Sequence, residues 1–135
     1  MTGAEEPRWV SRLVVDAVHL DLIRAFGGLH GIRDESALES ALARPKQRWS
    51  YEPTSNLAQL AAAYAFGFAR NHPFQDGNKR IAFVVMAVFV GLNGHEVVAP
   101  EADVVTAMLA VAAGEMAEEE LTEWLESCIR PAGAR

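Results

Sequence analysis

The amino-acid sequence predicts an all-α protein, and three observations carry that expectation. Apolar residues recur at helical spacing, with Val18, Leu22, Ile23 and Phe26 on one face and Leu121, Trp124 and Leu125 on another. Helix-stopping pairs, Gly27-Gly28 and Asn93-Gly94, close two of these periodic stretches. Period-two alternation, the strand signature, is scarce.

The elements follow in chain order. Asp16 is the expected N-cap of a first helix that ends at Phe26, and residues 28–33 then read as a loop. Asp34 caps a short helix, Glu35 to Ala43, expected to stop before Pro45 because proline restricts its predecessor and lacks an N–H. Residues 44–55 form a basic, aromatic connector with room for one short hairpin flap. Ser55 is the expected cap of a helix from Asn56 to about Arg70, rich in Ala, Leu, Phe and Tyr. A further helix, Asn78 to Leu92, is apolar nearly all round. Its composition predicts the central, most buried helix of a bundle, with Phe83, Val84, Ala87 and Val88 packed by its neighbours. Helices near 101–113 and 116–128 complete the series. The acids of the last, Glu118, Glu119, Glu120 and Glu123, are expected to form a solvated face.

Composition narrows the function classes. A chain of 135 residues, half hydrophobic and 22% charged, is expected to form one globular domain spanning 1–135. Its start lacks the basic-then-apolar pattern of a secretory signal, and its longest apolar run, Ile81 to Leu92, is too short to cross a membrane. The single cysteine, Cys128, excludes an internal disulfide framework and is expected to be a buried packing residue, so the cytoplasm is the expected location. The net charge of −6 argues against direct nucleic-acid binding. That charge is uneven: residues 1–80 hold ten Lys and Arg against nine Asp and Glu, and residues 81–135 hold two against nine. A small anionic ligand such as a nucleotide suits this distribution better than a duplex.

Residues 72–80, His72-Pro73-Phe74-Gln75-Asp76-Gly77-Asn78-Lys79-Arg80, concentrate chemistry. Pro73 forces a turn, and Gly77 permits an otherwise strained backbone where the next helix begins. The first amides of that helix lack internal acceptors and sit at the positive end of its dipole, which makes the turn an anion site. Lys79 and Arg80 add two cations there, an unfavourable placement for the helix alone and a favourable one for bound phosphate. Asn78 offers both donor and acceptor, Asp76 is a hard oxygen ligand suited to Mg²⁺, and His72 can take a proton near neutral pH. Taken singly, each has a bland explanation as turn chemistry or exposed charge. Their concentration between two apolar helices favours function. His19, His30, His72 and His95 lack zinc-ligand spacing, and neither nucleotide glycine motif is present.

The motif closely resembles the signature of the Fic/Doc superfamily. The common Fic form reads His-Pro-Phe-x-Asp/Glu-Gly-Asn-Gly-Arg-x-x-Arg and accompanies adenylyl transfer from ATP to proteins. Here Lys79 replaces the second glycine and Phe83 the last arginine, and both departures match the Doc branch. The resemblance extends through residues 27–34, 41–45 and 93–94 and covers roughly 12–128. It implies a Fic/Doc-like helical bundle and a Doc-like toxin of a toxin–antitoxin pair. Such a toxin is an ATP-dependent protein kinase that phosphorylates a threonine of elongation factor Tu and stops translation. The resemblance makes His72 the general base, Asp76 the Mg²⁺ ligand, and Gly77, Asn78, Lys79 and Arg80 the ATP-phosphate binders. Phe74 becomes the loop's buried anchor. The inhibitory Ser/Thr-x-x-x-Glu-Gly/Asn segment of many Fic proteins is absent from the sequence. Restraint is therefore expected from a Phd-like antitoxin whose tail folds as a helix in a groove. Trp49 and Tyr51, flanked by Arg44, Lys46 and Arg48, are expected to dock the target beside the active site; the alternative makes Trp49 a core plug. Two other functions stay open: adenylyl transfer, and a catalytically silent corepressor acting with an antitoxin.

Overall fold

The computed structural model describes residues 5–133. Its six helices are α1 (Arg12–Phe26), α2 (Glu35–Tyr51), α3 (Leu57–Asn71), α4 (Asn78–Leu92), α5 (Glu101–Ala112) and α6 (Glu118–Cys128). Two short strands, β1 (His95–Val97) and β2 (Ile129–Pro131), pair antiparallel with Glu96 opposite Arg130. The all-α expectation holds. The hairpin expected in the 44–55 connector does not form, since that segment is largely helical, and the strands that pair lie beside the C-terminus of α4 instead.

Local chemistry explains where the helix boundaries depart from expectation. Ser11, not Asp16, caps α1: its hydroxyl accepts from the Val14 N–H at 3.2 Å, and Asp16 sits one turn inside, paired with Arg12. Arg12 also reaches Glu35 and Glu39, tying α1 to α2, and the Glu35 carboxyl is held below its usual range chiefly by hydrogen bonding to Arg12. Helix α2 does not stop before Pro45 but runs through it to Tyr51. An interior proline costs about 3 kcal/mol. Here Pro45 is buried, and α3 crosses one turn earlier, so closely that a Cβ on Gly67 would meet the Ala41 backbone at 3.3 Å. Packing overrides propensity. For α3 the cap is Asn56 rather than Ser55, because Asn56 and Gln59 exchange side-chain-to-backbone hydrogen bonds in a capping box.

The most buried helix is α3, not α4. Leu60, Tyr64 and Phe68 of α3 are fully enclosed, and α3 packs against α2, α4, α5 and α6. Its run of alanines lets neighbours approach on every side. Helix α4 buries Ile81, Ala82, Val85, Met86, Phe89 and Val90, while Phe83, Val84, Ala87 and Val88, the residues expected at its packed face, are half-buried. Composition alone could not set that rotational phase, since every candidate face is apolar. Tyr64 accepts the Val10 N–H at 3.0 Å, and burial pushes its hydroxyl pKa up to about 12. In α6, Leu121 and Leu125 are buried, Trp124 is half-buried, and Cys128 is the buried thiol expected. Glu118 departs from the solvated face: its side chain is 14% exposed and pairs with Arg44 and Arg48 of α2.

Candidate functional site

Helix α3 ends at His72, whose left-handed backbone (φ 48°) turns the chain sharply, and α4 begins after Gly77 (φ 77°). The loop between them is fixed by many contacts. The Pro73 carbonyl accepts from the Arg33 and Asp34 amides at 2.8 and 3.1 Å, and Gln75 N–H donates to the Gly31 carbonyl. The Arg33 guanidinium donates to the His72 and Asn71 carbonyls at 2.6 and 2.8 Å. Phe74, 2% exposed, is the buried anchor expected, and its ring stacks on His19. The 28–34 loop thus serves as a splint along the motif.

Asn78 is placed differently from the expectation of a phosphate ligand. Its side-chain oxygen accepts from the Phe74 N–H and its amide donates to the Phe74 carbonyl, both at 3.0 Å. Its polar capacity is spent on shaping the loop. Asp76 lies at the surface with one carboxylate oxygen accepting the Leu29 N–H at 3.0 Å. Gly28 makes room for it, because a Cβ there would lie 3.1 Å from that oxygen. The first turn of α4 has no side-chain cap and no acid, and Lys79 and Arg80 are exposed. Arg80 lies over the Phe26 ring at 4.2 Å. Lys79 forms no ion pair among the described residues.

A cleft of about 750 Å³ opens beside this turn. Its lining combines Asp76, Gly77, Asn78, Lys79 and Arg80 with apolar side chains, Phe26, Phe83 and Leu109 among them. Phe83, where the common Fic pattern has arginine, is therefore an apolar wall residue. His72 does not line this cleft; it caps α3 at the far end of the loop.

Trp49 and Tyr51 are not brought to the motif. The loop touches α2 near its start, where Asn71 donates to the Ala37 carbonyl. Tyr51 ends the same helix, about 20 Å further along at 1.5 Å per residue. Trp49 packs edge-on against Trp9 at 6.4 Å, the core-plug alternative, and Tyr51 is 88% exposed. Docking beside the active site does not fit this geometry. Two residues that bond the loop backbone, Arg33 and His19, were not singled out from the sequence. Arg33 lies within the 27–34 stretch that shares the resemblance, and His19 could have been noticed as a histidine on an otherwise apolar face.

A sequence model of the Fic/DOC family matches residues 9–90, more than half of the chain. The chain belongs to the Fic/Doc family. A relative named "Protein kinase doc", from Escherichia phage P1, is 34% identical over 90 residues, 67% of this chain and 71% of that protein. A second, "Toxin Doc" from Mycolicibacterium smegmatis, is 38% identical over 76 residues, 56% of this chain and 58% of the relative. The matched family segment contains α1 through most of α4, and with them the whole motif and its splint. No described helix is long and apolar enough to cross a membrane.

Proposed function

We propose that this Fic/Doc protein is a toxin acting as an ATP-dependent protein kinase on a threonine hydroxyl, with elongation factor Tu as the target. The observation that carries the reading is the open, cationic first turn of α4, in a cleft of nucleotide size, with His72 and Asp76 on the loop before it. The kinase named among its relatives supports the choice of reaction. In this mechanism His72 takes the proton of the attacking hydroxyl. The hydroxyl oxygen bonds to the γ-phosphorus, the bond to the β-phosphate oxygen breaks, and ADP leaves. The amides of α4, Lys79 and Arg80 hold the phosphates and offset the developing charge. Asn78 contributes through its backbone and by shaping the loop.

The fit for Mg²⁺ is that of a shared site. Among the described residues no three metal-ligating side chains cluster, so these residues build no complete cage. Asp76 has one carboxylate oxygen with no hydrogen-bond partner among the described residues, which suits an ion completed by substrate phosphates and water. When bound, the ion supplies charge neutralisation between phosphates.

Restraint by a Phd-like antitoxin fits the apolar part of the cleft lining, on which a helix can lay its apolar face. The reading is tested by incubating the purified protein with bacterial lysate and ATP labelled at either the α or the γ position. Labelling of one major protein from γ-labelled ATP alone is expected. Labelling from the α position would instead establish adenylyl transfer.

A further inference from the structure

His19 is the one buried histidine among the described residues, 2% exposed, and it lies in α1, outside the motif. Its ring stacks on Phe74 with centroids 3.8 Å apart and planes 11° from parallel. Its Nε2 lies 2.9 Å from the Asp76 carbonyl oxygen. A carbonyl only accepts, so Nε2 carries the proton and donates. A Cβ added to Gly77 would lie 3.9 Å from the same nitrogen and 3.7 Å from Ile23, which shows how closely α1 backs this turn. Most of the loop is held from the splint or by Asn78; this bond fixes the Asp76–Gly77 peptide, at the entry to α4, from behind.

The orientation of that peptide has a chemical consequence. There are no cis bonds among the described residues, and in a trans peptide the C=O and N–H point to opposite sides. With the Asp76 carbonyl drawn inward to His19, the Gly77 N–H faces away from α1. It joins the amides of Asn78, Lys79 and Arg80, which have no side-chain cap. If the peptide flipped, the carbonyl would present negative partial charge where an anion has to sit. Glycine at 77 makes such a flip sterically accessible, so something has to prevent it.

We infer that His19 is a positioning residue for the phosphate site: its hydrogen bond locks the Asp76–Gly77 peptide in the orientation that adds the Gly77 N–H to the anion-binding amides of α4. The inference rests on the nucleotide reading above for its functional meaning, while the locked peptide itself is measurable without ligand. His19→Phe keeps an aromatic ring against Phe74 and removes the donor; His19→Gln keeps a donor and gives up the ring.

The test compares the full chain with both variants by amide hydrogen exchange, first alone and then by ATP titration with Mg²⁺. In His19→Phe the amides of Phe74, Gln75 and Ile81 are expected to exchange at least tenfold faster, with those of Tyr64 and Phe68 in α3 unchanged. ATP affinity is expected to fall at least tenfold. His19→Gln is expected to return both to within threefold of wild type. Wild-type exchange in the His19→Phe loop overturns the inference. If His19→Phe does not fold, His19→Gln decides: near-wild-type loop exchange supports the hydrogen bond, and a tenfold increase overturns it. A wild-type chain that binds no ATP overturns the nucleotide reading, and the ligand-free exchange still decides the role of His19.

Discussion

Helices α4 and α6 begin with opposite chemistry. The first turn of α6 carries Glu118, Glu119 and Glu120 at the positive end of its dipole. Glu120 reaches back to accept the Ala117 N–H at 2.8 Å, and Glu118 pairs with Arg44 and Arg48. That helix satisfies its own terminus. The first turn of α4 carries Lys79 and Arg80, has no acid and no side-chain cap, and follows a left-handed glycine. It is a poor helix start, and under the proposed function it is where phosphate binds. The contrast teaches that one chain can complete one helix start with its own side chains and leave another incomplete inside a well-ordered loop. The loop before it is ordered by Arg33, Asn78 and His19, each bonded to loop backbone.

The largest expected effect separates chemistry from stability at the α4 end. His72→Ala should lower phosphate transfer by about 10²–10⁴-fold, the usual contribution of a general base. Its melting temperature should stay near wild type, because the His72 side chain makes no hydrogen bond among the described residues and only its carbonyl is held by Arg33. Expression without a partner should arrest bacterial growth, and the same substitution should relieve the arrest. Normal growth with soluble wild-type protein would break the toxin reading.

How much of this was legible in the sequence depends on whether the signal was local. The motif, the α4 boundaries and the all-helical class came from local patterns: glycine and proline punctuation, helical periodicity, and cations placed against a dipole. What failed was decided by packing. Nothing near Pro45 announces that α3 will cross at Ala41 and hold the helix through it. The alanine-rich α3 reads as an unremarkable helix, yet small side chains are what allow four helices to close around it. Asn78 offers donor and acceptor to a phosphate or to the Phe74 backbone equally well on paper, and only the tight turn decides for the backbone.

Trp49→Ala should destabilise the protein by about 2 kcal/mol through lost packing against Trp9, and Tyr51→Ala by less than about 0.5 kcal/mol, both measured by denaturant unfolding. Neither should change transfer by the purified folded enzyme. Loss of transfer in Tyr51→Ala would restore the docking role that the structure places about 20 Å away along α2.

At α6, Glu120→Ala should cost about 0.5–1 kcal/mol, since it frees the Ala117 amide and removes an acid from the first turn. It should leave activity untouched. A drop in transfer would blur the contrast between the two helix starts.

A small change in stability at the start of α4 carries the most information. Lys79→Glu replaces an exposed cation with the charge that the α4 dipole prefers, so stability should rise by about 0.3–1 kcal/mol. Titration of ATP with Mg²⁺ into wild type and Lys79→Glu, alongside their unfolding curves, tests the claim that this terminus is kept incomplete for a phosphate ligand. The account predicts a variant that is more stable and binds ATP at least tenfold more weakly. A variant that binds ATP as tightly as wild type would contradict it.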